Sequence, residues 1–187
     1  MAYVVLAMVL AWFFEQRLPT TVILVRHAET DAAMMAAGAS GDPPLNARGR
    51  LRAEALANFL EDVDVVRGLD AIYATEALRT QQTAAPIAQR LGLEVQIADQ
   101  HAVEEFARHV RREHREEIVL VVSHSDVIGE IIDELHGHQN VPPIEPDEFD
   151  NVYIVTVPWL FGKVKTLRLH YGQELGVDGK AASFNEP

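Results

Sequence analysis

The strongest constraint on this chain is a set of short apolar segments, rich in β-branched residues, set between stretches of helical periodicity. Val22-Ile23-Leu24-Val25 and Ile118-Val119-Leu120-Val121-Val122 offer no polar residue to solvent, so each reads as a strand covered on both faces. Ala71-Ile72-Tyr73 and Glu94 to Ile97 read as shorter strands, and two more are predicted near Val152 to Val157 and Val164 to Leu169. Asn46 is placed to cap a helix whose apolar stripe is Leu51, Ala55, Leu56, Phe59, Leu60 and Val63. A helical turn is expected from about Glu76, with Pro86 opening a further helix that ends at Gly92. Val103, Phe106, Ala107 and Val110 mark another stripe. Val127, Ile128, Ile131, Ile132 and Leu135 mark the last, which leaves through His136-Gly137-His138. This alternation predicts an α/β three-layer sandwich: a mainly parallel central sheet with helices on both faces, and antiparallel strands at the end where no helix intervenes.

A sheet of that kind needs one large core, and 187 residues at 48% hydrophobic content supply it. The reading divides the chain into an apolar N-terminal segment (1–19), one domain (20–172) and a C-terminal tail (173–187). A formal charge of -12, from 16 Lys+Arg against 28 Asp+Glu, lacks the basic face that a phosphate backbone requires. No nucleic-acid partner is expected, and an anionic ligand must be small and locally gripped. With no cysteine, the chemistry falls to histidine, hydroxyl, carboxylate or bound metal. Ala2 to Phe14 is an unbroken apolar run. It is shorter than the ~20 residues of a spanning helix and within the about 7 to 15 of an export-signal core. No Lys or Arg precedes the run and no small-x-small site follows it, so a buried or partner-facing helix fits equally well. Export or membrane contact through residues 2–14 is one expectation for localisation, and a cytoplasmic location is the other.

In open α/β sheets ligands lie beyond the carboxyl ends of the strands, which directs attention to the polar residues behind Val25, Tyr73 and Val122. Those places hold Arg26-His27-Ala28-Glu29-Thr30, Ala74-Thr75-Glu76-Ala77-Leu78-Arg79, and Ser123-His124-Ser125. Any one of them has an ordinary explanation in capping, surface polarity or a helix ion pair. Together they put two arginines and two histidines on one sheet edge. Guanidinium forks bind a phosphomonoester's oxygens bidentately and stay charged, which suits Arg26 and Arg79. An imidazole can attack phosphorus if its other ring nitrogen donates a hydrogen bond, commonly to a backbone carbonyl, and His27 at a strand end is placed for this. His124, at the start of a helix, is placed to hold a proton against a phosphoryl oxygen. Eight histidines, His136 and His138 among them, raise a metal-dependent hydrolase as a rival, but they form no tight constellation with carboxylates. Neither metal nor cofactor is expected.

At these residues the sequence resembles the histidine phosphatase superfamily, in its phosphoglycerate mutase-like branch. Arg26-His27-Ala28-Glu29 is similar to the Arg-His signature, and Pro44-Leu45-Asn46-Ala47-Arg48-Gly49 to the family's Pro-Leu-(Ser/Thr)-x-x-Gly. Tyr73-Ala74-Thr75 through Leu78-Arg79-Thr80, with Gln82-Thr83-Ala84, resembles its Tyr-Ser-Ser…Arg-x-x-Gln-Thr-Ala. Val121-Val122-Ser123-His124-Ser125 is the last block, where Ser123 stands in place of the usual glycine. The resemblance covers roughly Thr21 to Tyr171. It implies a phosphohydrolase with His27 as the phosphorylated nucleophile and Arg26, Arg79 and His124 around the phosphate. Its partner would be a small phosphorylated substrate or a phosphoprotein.

The family's proton donor is usually a glutamate in the segment behind the third strand, where this chain offers Asp99, Glu104 and Glu105. Glu104 and Glu105 also read as a helix's solvated face. A chain with a weak donor would favour good leaving groups such as phosphohistidine, phosphoanhydrides or aryl phosphates. With no long insertion to form a lid, water is the expected acceptor. The rival from another class is a catalytically weak or inactive phosphate- or phosphoprotein-binding module of the same fold.

Overall fold

The computed structural model describes residues 3–4, 18–31, 42–62, 68–137, 141–159 and 162–172. The expectations resting on Val63, His138, residues 173–187 and most of the 2–14 run lie outside them. The described chain runs β1 (Thr20–Arg26), α1 (Ala47–Asp62), β2 (Ala71–Ala74), α2 (Leu78–Leu91), β3 (Val95–Ile97) and α3 (Val103–Glu113). It continues through β4 (Ile118–Ser123), α4 (Ser125–Glu134), β5 (Asn151–Val157) and β6 (Lys165–His170). The six strands form one sheet in the order β3-β2-β4-β1-β5-β6. The first four are mutually parallel; β5 runs antiparallel to β1 although α4 precedes it, and β6 runs antiparallel to β5, as the lack of a helix between those two predicts.

Register follows from burial on both sheet faces. Val22 pairs with Val119 and Leu24 with Val121, and these side chains pack with Ala107 and Val110 of α3 and Ile128, Ile131 and Ile132 of α4. The alternate residues Ile23, Val25, Leu120 and Val122 face Leu56 and Ala57 of α1 and Ala84, Ile87 and Ala88 of α2. A strand carrying two such faces must be apolar at every position, which is what the central segments are. Leu120 is fully buried between them, and its replacement by alanine would cost ~2–5 kcal/mol.

Two local expectations are corrected. Pro86 opens no new helix: α2 runs unbroken from Leu78 to Leu91 with the proline inside it, then ends at Gly92 in the left-handed region. Proline forfeits one helical hydrogen bond, but the stripe Thr80, Thr83, Ala84, Ile87 and Ala88 is buried only if the helix continues through it. On α1, Leu51 is 51% exposed whereas Arg52 is buried, so the inward stripe is rotated from the one hydrophobicity suggests. Arg52 is drawn in by Glu29, bonding its two carboxylate oxygens through Nε at 2.7 and 2.8 Å.

Candidate active site

The chain leaves β1 toward the α1/α2 face and leaves β4 toward the α3/α4 face. These strands are neighbours and their connections leave to opposite faces, which makes their carboxyl ends the topological switch point where open α/β sheets bind ligands. His27 follows β1 and His124 follows β4. The His27 amide continues the ladder by donating to Ser123 O at 2.9 Å, and the two imidazoles face each other edge-on with centroids 5.4 Å apart.

His27 is fixed by its own backbone. Its Nδ1 lies 2.8 Å from Ala28 O; a carbonyl only accepts, so Nδ1 carries the hydrogen and Nε2 holds the lone pair. Burial pushes its pKa down to about 4, with Arg79, His124 and Arg26 adding smaller repulsions, so the ring is neutral at pH 7. The turn behind it is held by Thr83, whose hydroxyl accepts from Ala28 N at 2.9 Å and donates to Arg79 O at 2.7 Å. Glu29 packs against the first turn of α1, where a Cβ on Gly49 would fall 2.1 Å from Glu29 O. That close approach is why a glycine ends the Pro44–Gly49 block. Asn46 caps α1 there as predicted, accepting from Gly49 N at 2.8 Å.

His124 occupies the N-cap position of α4 in an extended conformation. Its Nε2 stands 2.9 Å from Thr75 Oγ1, which lies 2.9 Å from Thr80 Oγ1, which in turn donates to Ala77 O at 2.6 Å. On the other side of the ring, Arg79 Nη2 stands 3.4 Å from Nδ1. A guanidinium only donates, so the network assigns the hydrogen to Nε2 and turns the Nδ1 lone pair toward Arg79. Burial and then the Arg79 charge lower the pKa of His124.

The arginines are held differently. Arg26 Nη1 reaches the carbonyls of Glu145, Pro146 and Glu148 at 2.9, 3.1 and 2.8 Å, and its guanidinium lies 4.1 Å from the Phe149 ring centroid. Arg79 Nη1 donates to Asp42 Oδ1 at 3.1 Å, while the other oxygen of Asp42 accepts from Leu78 N at the start of α2. The Nε atoms of both arginines are buried and bond to no described protein group.

The tertiary structure therefore brings His27, His124 and Arg79 together and adds four residues that motif reading passed over: Thr75, Thr83, Asp42 and Phe149. Thr75 and Thr83 lie inside blocks already singled out, so their signal was present; Asp42 and Phe149 had none. None of the acid candidates bonds to His27, His124, Arg26 or Arg79, although Asp99 lines a small cavity with Thr75 and Ser123. Asp99 is spent on the turn, accepting from His101 N at 2.8 Å, and Glu104 pairs with Arg108 at 2.6 Å on the exposed face of α3. Ser123 keeps its hydroxyl buried without a partner beside the switch point. Among the described residues no group of His, Asp and Glu could hold a metal ion.

A mainly parallel sheet covered on both faces, with two histidines and two arginines at its topological switch point, defines an α/β protein of the phosphoglycerate mutase-like fold. Residues 22–101, which carry Arg26, His27 and Arg79, match the model of the histidine phosphatase superfamily (branch 1). His124 lies beyond the matched stretch. Among solved structures, the chain resembles the alpha-ribazole phosphatase from Shigella flexneri at 20% identity and a TM-score of 0.55, over 72% of this chain and 89% of that one. It also resembles a mycobacterial glucosyl-3-phosphoglycerate phosphatase at 13% identity and a TM-score of 0.56, over 82% of this chain and all of the other. At such identities the likeness establishes the fold. A curated relative, the PE-PGRS family protein PE_PGRS11 of Mycobacterium tuberculosis, is 41% identical over 75 residues. That match covers 39% of this chain and only 12% of the relative's length. The superfamily match supports a phosphatase.

Proposed function

We propose that the protein hydrolyses phosphomonoesters through a phosphohistidine formed on Nε2 of His27. The observation that carries this reading is the bond from His27 Nδ1 to Ala28 O, which leaves a neutral Nε2 lone pair on a ring that feels the charges of Arg79 and Arg26. Arg26 and Arg79 grip the phosphoryl oxygens, the Nε2–P bond forms as the ester P–O bond breaks, and the alkoxide leaves with the electron pair. Positive charge developing on the ring is met by Ala28 O. His124 lies where a bound dianion would favour its protonated form, giving a second donor to the phosphoryl oxygens. Water then attacks phosphorus, the N–P bond breaks, and its electrons return to Nε2.

The proton for the leaving oxygen is the weakly equipped part. Asp42 is the carboxylate bonded to Arg79, and none of Asp99, Glu104 and Glu105 bonds to the four site residues. Aryl phosphates and phosphohistidine, which need little protonation, are therefore the favoured substrates. The test is rapid quenching at high pH during turnover of 4-nitrophenyl phosphate, followed by peptide mapping. An acid-labile, base-stable label on His27 is expected. Phosphate binding without turnover would leave the binding module as the function, and a label on His124 would reverse the roles. Since four cationic or neutral nitrogen groups do the gripping, EDTA should leave the rate unchanged. Loss of turnover in EDTA with recovery on adding a divalent ion would overturn the mechanism.

A further inference from the structure

Thr20 and Val157 pair at the opposite end of the sheet from the switch point, a strand's length of about 20 Å away. Here a cleft of about 820 Å³ opens, within the usual size range for small-molecule sites. It is lined by Arg108, Arg111 and Arg112 of α3, by Arg115 just beyond, and by Lys163, with no carboxylate among the described lining residues. In a chain of formal charge -12 this is a local reversal of sign. Arg108 and Arg112 have exposed carboxylate partners in Glu104 and Glu113, which neutralise them only weakly. Arg111 instead donates to His136 Nε2 at 2.9 Å, and the Arg115 guanidinium lies 5.8 Å from the Trp159 ring centroid. Neither of them, nor Lys163, makes an ion pair with a described residue.

The turn that presents His136 is itself costly. His136 sits at a φ of 62°, a left-handed conformation that strains a non-glycine residue, and Gly137 follows where a Cβ would come within 2.6 Å of Ile132 Cγ2. Trp159, with Pro158 and Val164, gives the cleft an apolar wall beside its cations.

We infer that this cleft is a second ligand site, taking a small organic polyphosphate of the nucleoside triphosphate type. Two guanidinium forks and an ammonium suit several adjacent phosphate oxygens, and the Trp159 wall suits an attached planar ring. A single phosphate would leave most of the cations unused. The site does not depend on the reaction at His27.

The experiment is calorimetric titration of ATP into the full-length His27→Ala chain, which cannot turn over by the proposed route, at near-physiological ionic strength. Saturable one-site binding tighter than about 1 mM is expected, competed by pyrophosphate but not by orthovanadate, which seeks the proposed catalytic site. Arg111→Ser with Arg115→Ser should weaken it by about tenfold or more, and the exposed Lys163→Glu, which should not disturb folding, should weaken it as well. In the otherwise native chain those changes should leave 4-nitrophenyl phosphate turnover intact. Absence of saturable binding, competition by orthovanadate, or indifference to Lys163→Glu would overturn the inference. So would binding to vesicles of anionic lipid in place of ATP, which would make the cleft a membrane contact.

Discussion

The segments that leave β4 and β3 depart from the same end of the sheet, yet only the first brings a side chain against His27. Behind β4, a central strand with buried neighbours on both sides, His124 is locked at a helix N-cap between Thr75 and Arg79. Behind β3, a three-residue edge strand, Asp99 closes a turn and Glu104 and Glu105 stand exposed on the first turn of α3. A central strand delivers its final residue with a precision set by two hydrogen-bonded ladders. An edge strand has one ladder and an open flank. The half of the site proposed to grip phosphate is thus built into the sheet, and the acidic candidates behind β3 are not.

The largest effects should fall on the β1/β4 side. His27→Ala should remove both turnover and the phosphoprotein label, whereas His124→Ala should slow turnover by roughly 10²–10³-fold and leave a detectable label. Single-turnover kinetics with label quantification separates these outcomes, and full turnover in His27→Ala would break the assignment.

Next comes the hydroxyl chain behind His124. Thr75→Val removes the acceptor for Nε2–H and should cost about tenfold in kcat, while Thr75→Ser should restore the rate. Long-range ¹H–¹⁵N spectra should show the His124 proton exchanging between its nitrogens in Thr75→Val alone. Equal rates for the valine and serine variants would mean that Thr75 only fills space.

The pH profile sharpens the contrast further. His27's folded pKa, about 4, lies below its ordinary 6.5, so its contribution to stability is complete above pH 6.5 and declines as pH falls from there through about 4. In kcat/KM, corrected for substrate ionisation, the acid limb due to His27 should lie near pH 4. A limb at 6.5 would mean that the ring is solvated.

The smallest effects belong to the β3 side. Asp99→Asn and Glu104→Gln should each leave turnover within about twofold, equally for alkyl and aryl phosphates, as expected of exposed groups. A selective loss on alkyl phosphates would place a general acid behind β3 after all and erase the distinction between the two segments.

Much of this was legible beforehand because the relevant signals are local. A short all-apolar run rich in β-branched residues and bounded by polar ones reads as an interior strand, and the polar residues at its end follow by continuity of the chain. So the strands, their covering helices, and the placing of Arg26, His27, Arg79 and His124 at one edge could be read directly. The tertiary structure decided whatever depends on partners distant in sequence. Hydrophobic periodicity turned Leu51 inward, but a buried ion pair with Glu29, 23 residues away, turned Arg52 inward instead. Helix-breaking rules stopped a helix at Pro86, but the core stripe that continues beyond it outweighed one lost hydrogen bond. Carboxylate chemistry nominated Asp99 and Glu104 for the reaction, and their neighbours His101 and Arg108 engaged them locally. Arg26 is tied to backbone carbonyls more than a hundred residues later, and Asp42 reaches Arg79 across a loop and a helix. Periodicity reports which face of an element avoids water, but the partner that a polar side chain meets there is fixed only when separate elements pack in register.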